Sequence, residues 1–177
     1  LHGYKSGKVG YRELAGPIDW LSKASLIHQH LICDQAAIPL GAYTKQNKFK
    51  LFIFDVGILG AMIDLPPKAI WDYSFGTYKG YFMENFVACE LAALKTNQIS
   101  SQTIYSWSEG MAELEFLLTD DDSLIIPIEV KSGQSTRSKS LTTFIGKYSP
   151  KKAIKLIGKL PDPGKVQSNR CIQILPI

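Results

Sequence analysis

The chain has 177 residues with 45% hydrophobic and 11% aromatic content, too apolar for a disordered chain and long enough for one ordinary domain, or a domain with a small appendage. A long multidomain enzyme is excluded, and 20 basic against 16 acidic residues leave only a mild positive balance. The richest apolar stretch, Leu51 to Leu65, is interrupted by Asp55 and Asp64 and falls short of the ~20 residues a membrane helix needs, so no membrane partner is expected.

The chain opens on Leu1 with a basic, small-residue stretch that lacks the apolar region of a secretory signal, and reads as a fragment of a longer protein. Gly16, Pro17 and Asp19 predict a short helix over Ile18 to Ala24, since proline suits a first helical turn. Leu26 to Cys33 predicts a strand, Pro39 to Tyr43 a short extended piece, Thr44 to Lys48 a turn and Phe49 to Phe54 a further strand. Asp55 is placed to cap a helix over Val56 to Ile63, which stops before Pro66 and Pro67. A helix followed by a strand pair predicts a small winged-helix-like unit over residues 1–65, followed by a linker at 66–77.

The strongest helix signal runs from Tyr78 to Lys95, where Phe82, Phe86, Cys89 and Ala93 recur at helical spacing. Thr103 to Trp107, Ala112 to Thr119 and Leu124 to Lys131 predict three consecutive strands, hence an antiparallel meander. A helix over Ser138 to Tyr148 and strands at Ala153 to Ile157 and Cys171 to Leu175 complete a second unit, 78–177. Its order, αβββαβ plus one strand, predicts an α/β domain of the α+β kind with a mixed sheet.

Cys33, Cys89 and Cys171 are far apart with apolar neighbours and predict neither a disulfide framework nor a metal clip, so a reducing cytoplasm is expected. His2, His28 and His30 have no cysteine nearby, and no histidine metal site is expected. Charge placement carries more. Residues 109–129 hold seven acids and no base, whereas residues 131–165 hold nine bases against Asp162 alone. An acidic cluster followed by a basic segment suits a divalent cation beside a bound polyanion, although two solvated surfaces account for the same pattern.

The sharpest constellation is Glu115 with Glu129-Val130-Lys131. Side chains two apart on a strand share a face, so Glu129 and Lys131 emerge together while Ile128 and Val130 enter the core. A register pairing 115 with 129 sets the two carboxylates side by side with the lysine at the rim. Two carboxylates, a carbonyl and water suit Mg²⁺ or Mn²⁺, with the lysine orienting an attacking hydroxide. On the long helix Glu84 and Glu90 both project among apolar neighbours, and periodicity does not choose between them.

These segments, from Gly80 to Leu91, Ile104 to Trp107, Ala112 to Leu118 and Ile126 to Lys131, resemble the PD-(D/E)XK, or restriction-endonuclease-like, superfamily. More narrowly, with Leu51 to Gly60 and Ser140 to Tyr148, most of residues 10–177 resembles the uncharacterised domain C-terminal to prokaryotic AAA-type ATPases of the archaeal-ATPase kind. The resemblance implies that Glu84, Glu115 and Glu129 are metal ligands for Mg²⁺ or Mn²⁺ and that Lys131 assists catalysis, while Glu90 receives no role. Glu115 stands where that superfamily usually has aspartate, one methylene shorter. The resemblance also implies an ATPase domain preceding residue 1 on the same polypeptide. No ATP site is expected in the chain itself, because Gly3 to Val9 is one residue short of a phosphate-binding loop and ends in valine. Two functions follow: a Mg²⁺-dependent DNA phosphodiesterase, or a non-catalytic regulatory, partner- or DNA-binding module of the ATPase. For DNA, the expected contacts are Arg137, Lys139, Lys147, Lys151 and Lys152, flanking the acidic pocket.

Overall fold

The computed structural model describes residues 10–72, 76–96, 103–132, 138–158 and 172–176. They form one mixed seven-stranded sheet of order β2-β1-β3-β4-β5-β6-β7, flanked by five α-helices. The fold is therefore α+β.

Helix α1, Tyr11–Lys23, begins seven residues before the expected helix. Gly10 in extended conformation precedes it and Pro17 sits inside it, so proline acts here as an interior residue lacking one hydrogen bond. Strand β1 (Ile27–Cys33) pairs antiparallel with β2 (Thr44–Ile53), from Ile27↔Ile53 to Leu31↔Phe49, and resumes after a bulge at Cys33↔Thr44. Residues 44–48, expected as a turn, are thus strand, and Leu40–Tyr43, expected as extended, is a 3-10 turn. Thr44 Oγ1 donates to the Gly41 carbonyl at 2.9 Å, and Lys45 and Lys48 reach Asp34. Polar residues fit β2 because it is the sheet edge, where lysines face solvent and discourage edge pairing.

The strand pair of the expected winged-helix-like unit lies in the main sheet. β1 lies parallel to β3 (Tyr105–Glu109), with Ile32 opposite Ser106, so the strand pair extends the same sheet as the second unit. Asp55 caps α2 (Val56–Met62), its Oδ1 accepting from the Ile58 amide at 2.9 Å. Residues 66–77, expected as a linker, include the short helix α3 (Pro67–Trp71) and a 3-10 turn at Gly76–Tyr78.

Helix α4 (Lys79–Thr96) covers one face of the sheet. Val87 and Ala88 pack there with Phe52, Phe116, Ile128 and Val130. Asn85 fixes its position: its side chain accepts from the Ile53 amide at 2.8 Å and donates to the Ile53 carbonyl at 2.9 Å, completing the backbone pairing at the end of β2. Strands β3, β4 (Ala112–Thr119) and β5 (Ile125–Lys131) form the expected meander. Helix α5 (Lys139–Tyr148) covers the other face, burying Leu141 and Phe144 against Trp107, Leu114, Leu117 and Ala153. Its crossover delivers β6 (Ala153–Ile157) parallel to β5, and β7 (Ile172–Pro176) is parallel to β6.

Candidate carboxylate–lysine site

The site begins with an irregularity. Between β3 and β4 the register passes from Tyr105↔Leu117 to Trp107↔Leu114, so Glu115 and Phe116 together face the single residue Ser106, a bulge. Leu114 and Leu117 consequently both enter the core under α5, while Phe116 enters the core under α4. The Ser106 hydroxyl donates to the Glu115 carbonyl at 2.8 Å. Strict alternation no longer places the Glu115 side chain, and a hydrogen bond does so instead: the Val130 amide donates to Glu115 Oε2 at 3.0 Å. The buried carboxylate therefore lies at the β4–β5 seam.

Glu129 sits between Ile128 and Val130, which face α4, so alternation sends it toward α5. It is 1% exposed, its Oε1 is 3.1 Å from Lys131 Nζ, and its Oε2 accepts from Ser138 Oγ, at the start of α5. Burial pushes its carboxyl above the usual carboxylate range, against the pull of Lys131. Lys155 pairs with Glu129 across the parallel β5–β6 ladder and shares its face. At 2% exposure, its Nζ has no hydrogen-bond partner among the described residues. Burial lowers its pKa, and the Glu129 charge opposes that shift.

Glu84 arrives from α4, on the other side of the sheet. Its Oε2 is 3.6 Å from Lys50 Nζ of β2, each side chain being 24% exposed. Burial raises its pKa, Lys50 opposes the shift, and Glu115 adds to it. Glu90, by contrast, is exposed. The carboxylate at the seam interacts with both flanking acids, but Glu84 and Glu129 approach from opposite faces.

Glu115 and Lys131 both act on Glu84 and on Glu129, so the expected site residues are brought near one another, with the acids entering from both sides of the sheet. The ladder Phe116↔Ile128, continued by one residue, does set 115 opposite 129. The bulge then separates position from direction. Among the described residues, no group of three or more His, Cys, Asp or Glu side chains is arranged to hold a metal ion. Within the donor set, Glu84 Oε2, Glu115 Oε2 and both Glu129 oxygens already face a lysine, a hydroxyl or an amide of the fold.

The expected DNA contacts are dispersed. Arg137 lies outside the described residues. Lys139 opens α5 beside Ser138, near Glu129. Lys147 is committed to Glu109, which it holds below the usual carboxylate range together with the Tyr148 hydroxyl. Lys151 and Lys152 are exposed and precede β6, beyond the far end of a ten-residue helix that is roughly 15 Å long. Two residues escaped the sequence reading. Lys155 carries a legible signal, since Ala153, Lys155 and Ile157 share the fully buried parity of β6. Lys50 shares the face of Phe52, but that signal needs the true extent of β2.

No described helix is long and apolar enough to cross a membrane. Comparison with curated proteins and with solved structures returns no match. Residues 79–177, the part that carries α4, the meander and both parallel strands, match the family described as a domain of unknown function (DUF4143), and the chain belongs to that family.

Proposed function

We propose that this chain is a non-cleaving module with a PD-(D/E)XK-like fold, serving an AAA-type ATPase on the same polypeptide as a regulatory or partner-binding domain. The element order α4-β3-β4-β5-α5-β6 in one mixed sheet supports the nuclease-like fold. The observation that carries the non-cleaving reading is charge compensation: Glu84 faces Lys50, Glu129 faces Lys131 with Lys155 beside it, and Glu115 is held by the Val130 amide. Two of the three acids face lysines and the third faces an amide. A hard cation gains most from carboxylates with free oxygens and keeps several waters. Here it would have to compete with Lys131 and Ser138 for the Glu129 oxygens, which favours a cluster arranged for structural cohesion.

The test is a thermal melt with and without millimolar Mg²⁺ or Mn²⁺, run beside cleavage assays on linear, branched and single-stranded DNA. No metal-dependent shift and no cleavage are expected, in the chain and in the full ATPase polypeptide. A metal-induced rise in Tm that disappears in Glu129→Gln, together with nicking that Lys131→Ala slows, would establish the Mg²⁺-dependent phosphodiesterase instead. DNA as a partner is read separately: dispersal of the lysines predicts weak binding, and a steep salt dependence with micromolar affinity would restore it.

A further inference from the structure

A cleft of about 830 Å³ opens between β2, α2 and the N-terminal turn of α4, within the size range of ligand sites. Apart from its aliphatic walls it presents four aromatic rings, those of Phe52, Tyr78, Tyr81 and Phe82, and three charged groups, Lys50, Glu84 and Glu113. Tyr78 and Tyr81 are 50% and 67% exposed, and their three-residue spacing sets them on neighbouring positions of the helix start. Lys50 is balanced by Glu84 at 3.6 Å. Glu113 is exposed, and no lysine or arginine among the described residues reaches its carboxylate. The lining therefore carries one net negative charge, set among aromatic faces and apolar walls.

We propose that this cleft binds a hydrophobic organic monocation, an ammonium bearing an apolar or aromatic body. The ammonium is attracted by the Glu113 carboxylate and by the negative faces of the aromatic rings, while the body is removed from water against β2 and α2. An anion of the same shape would meet Glu113 without a compensating free base, since Lys50 is engaged. Glu113 and the aromatic rings carry the recognition, and neither Glu115 nor Glu129 lines the cleft.

The experiment is isothermal titration with three probes of one shape: phenylbutylamine, phenylbutanol and phenylbutyrate. The amine should bind about tenfold more tightly than the alcohol, with the acid weakest. Tyr81→Ala and Glu113→Gln, both at exposed positions, should each weaken the amine about fivefold and leave its alcohol analogue, for Glu113→Gln, unchanged. Equal affinity for all three probes, tighter binding of the acid, no binding at millimolar concentration, or indifference of amine binding to both substitutions would each overturn the proposal.

Discussion

Replacing Lys155 by methionine tests the energetics of the carboxylate–lysine site most directly. The ammonium is 2% exposed and has no hydrogen-bond partner among the described residues, and a buried unsatisfied polar group costs about 1–3 kcal/mol. Methionine keeps the length of the stem and removes that cost. Glu129 is not orphaned by the change, because Lys131 stays 3.1 Å away and Ser138 still donates to it. Lys155→Met is therefore expected to raise stability by about 1 kcal/mol, within the neutral-to-stabilising outcome typical when apolar groups replace buried ions; this is roughly 2–4 °C in Tm for a chain of this size. Glu129→Gln has the opposite sign. It leaves Lys155 buried beside a neutral amide and should cost about 3 kcal/mol, a loss that Lys155→Met on the same chain should largely restore. Urea unfolding of the four proteins at neutral pH measures the cycle. Burial holds the Lys155 pKa below its ordinary value, so its contribution to stability is fully present above the unfolded lysine value and is lost as pH falls through the folded pKa; Lys155→Met should flatten that alkaline rise. Glu129, raised by burial, works in the other direction: its contribution is fully present below the unfolded carboxylate value and is lost as pH rises through the folded pKa. A marked loss of stability in Lys155→Met, or zero coupling in the cycle, would refute the assignment of a buried ammonium without a hydrogen bond beside Glu129.

Glu115→Leu should cost about 1–3 kcal/mol by leaving the buried Val130 amide without its acceptor, whereas Glu115→Gln keeps a carbonyl oxygen there and should melt close to the parent; equal losses would remove the structural role given to this carboxylate. Gly158→Ala should destabilise by about 1–3 kcal/mol, because a Cβ there would stand 3.0 Å from the Ser132 carbonyl oxygen and 3.2 Å from Met83 Cε; a parent-like denaturation midpoint would show that the β5–β6 seam relaxes. Asp55→Ala removes the cap of α2 and should cost about 1 kcal/mol, with faster hydrogen exchange at the Ile58 amide as the local readout.

Elements whose signal lies in their own residues were legible in the sequence. The helical stripe of α4, the bounds of β4 and the strand Ala153–Ile157 emerge where hydrophobic periodicity predicts them, because each buries a face set by its own spacing. Elements defined by a distant neighbour were not. Thr44 to Lys48 is polar and reads as a turn, yet it is strand because β1 pairs with it and its other edge faces solvent. The union of the first segment with the sheet rests on the parallel contact Ile32↔Ser106, which joins residues too far apart in sequence for any local pattern to announce. Asn85 clamps the two parts at Ile53, but an asparagine on a helix carries no mark of its partner.

The same distinction holds at the site. Parity on β5 places Glu129 and Lys131 together, and the structure keeps them 3.1 Å apart. Parity on β4, extended from Phe116 back to Glu115, predicts a carboxylate beside Glu129, and there the bulge opposite Ser106 intervenes. One extra residue sends Leu114 and Leu117 into the same core and lets Glu115 turn into the ladder, where it replaces a backbone acceptor for Val130. The cost of that bulge is offset by the Ser106 hydroxyl and by the Glu115 carboxylate, both of which satisfy groups that a regular ladder would have paired through the backbone. A carboxylate used in this way is held by the same bond that keeps the strands in register. A carboxylate has two oxygens, so any cation it met would be taken by Oε1 with Oε2 still on the Val130 amide.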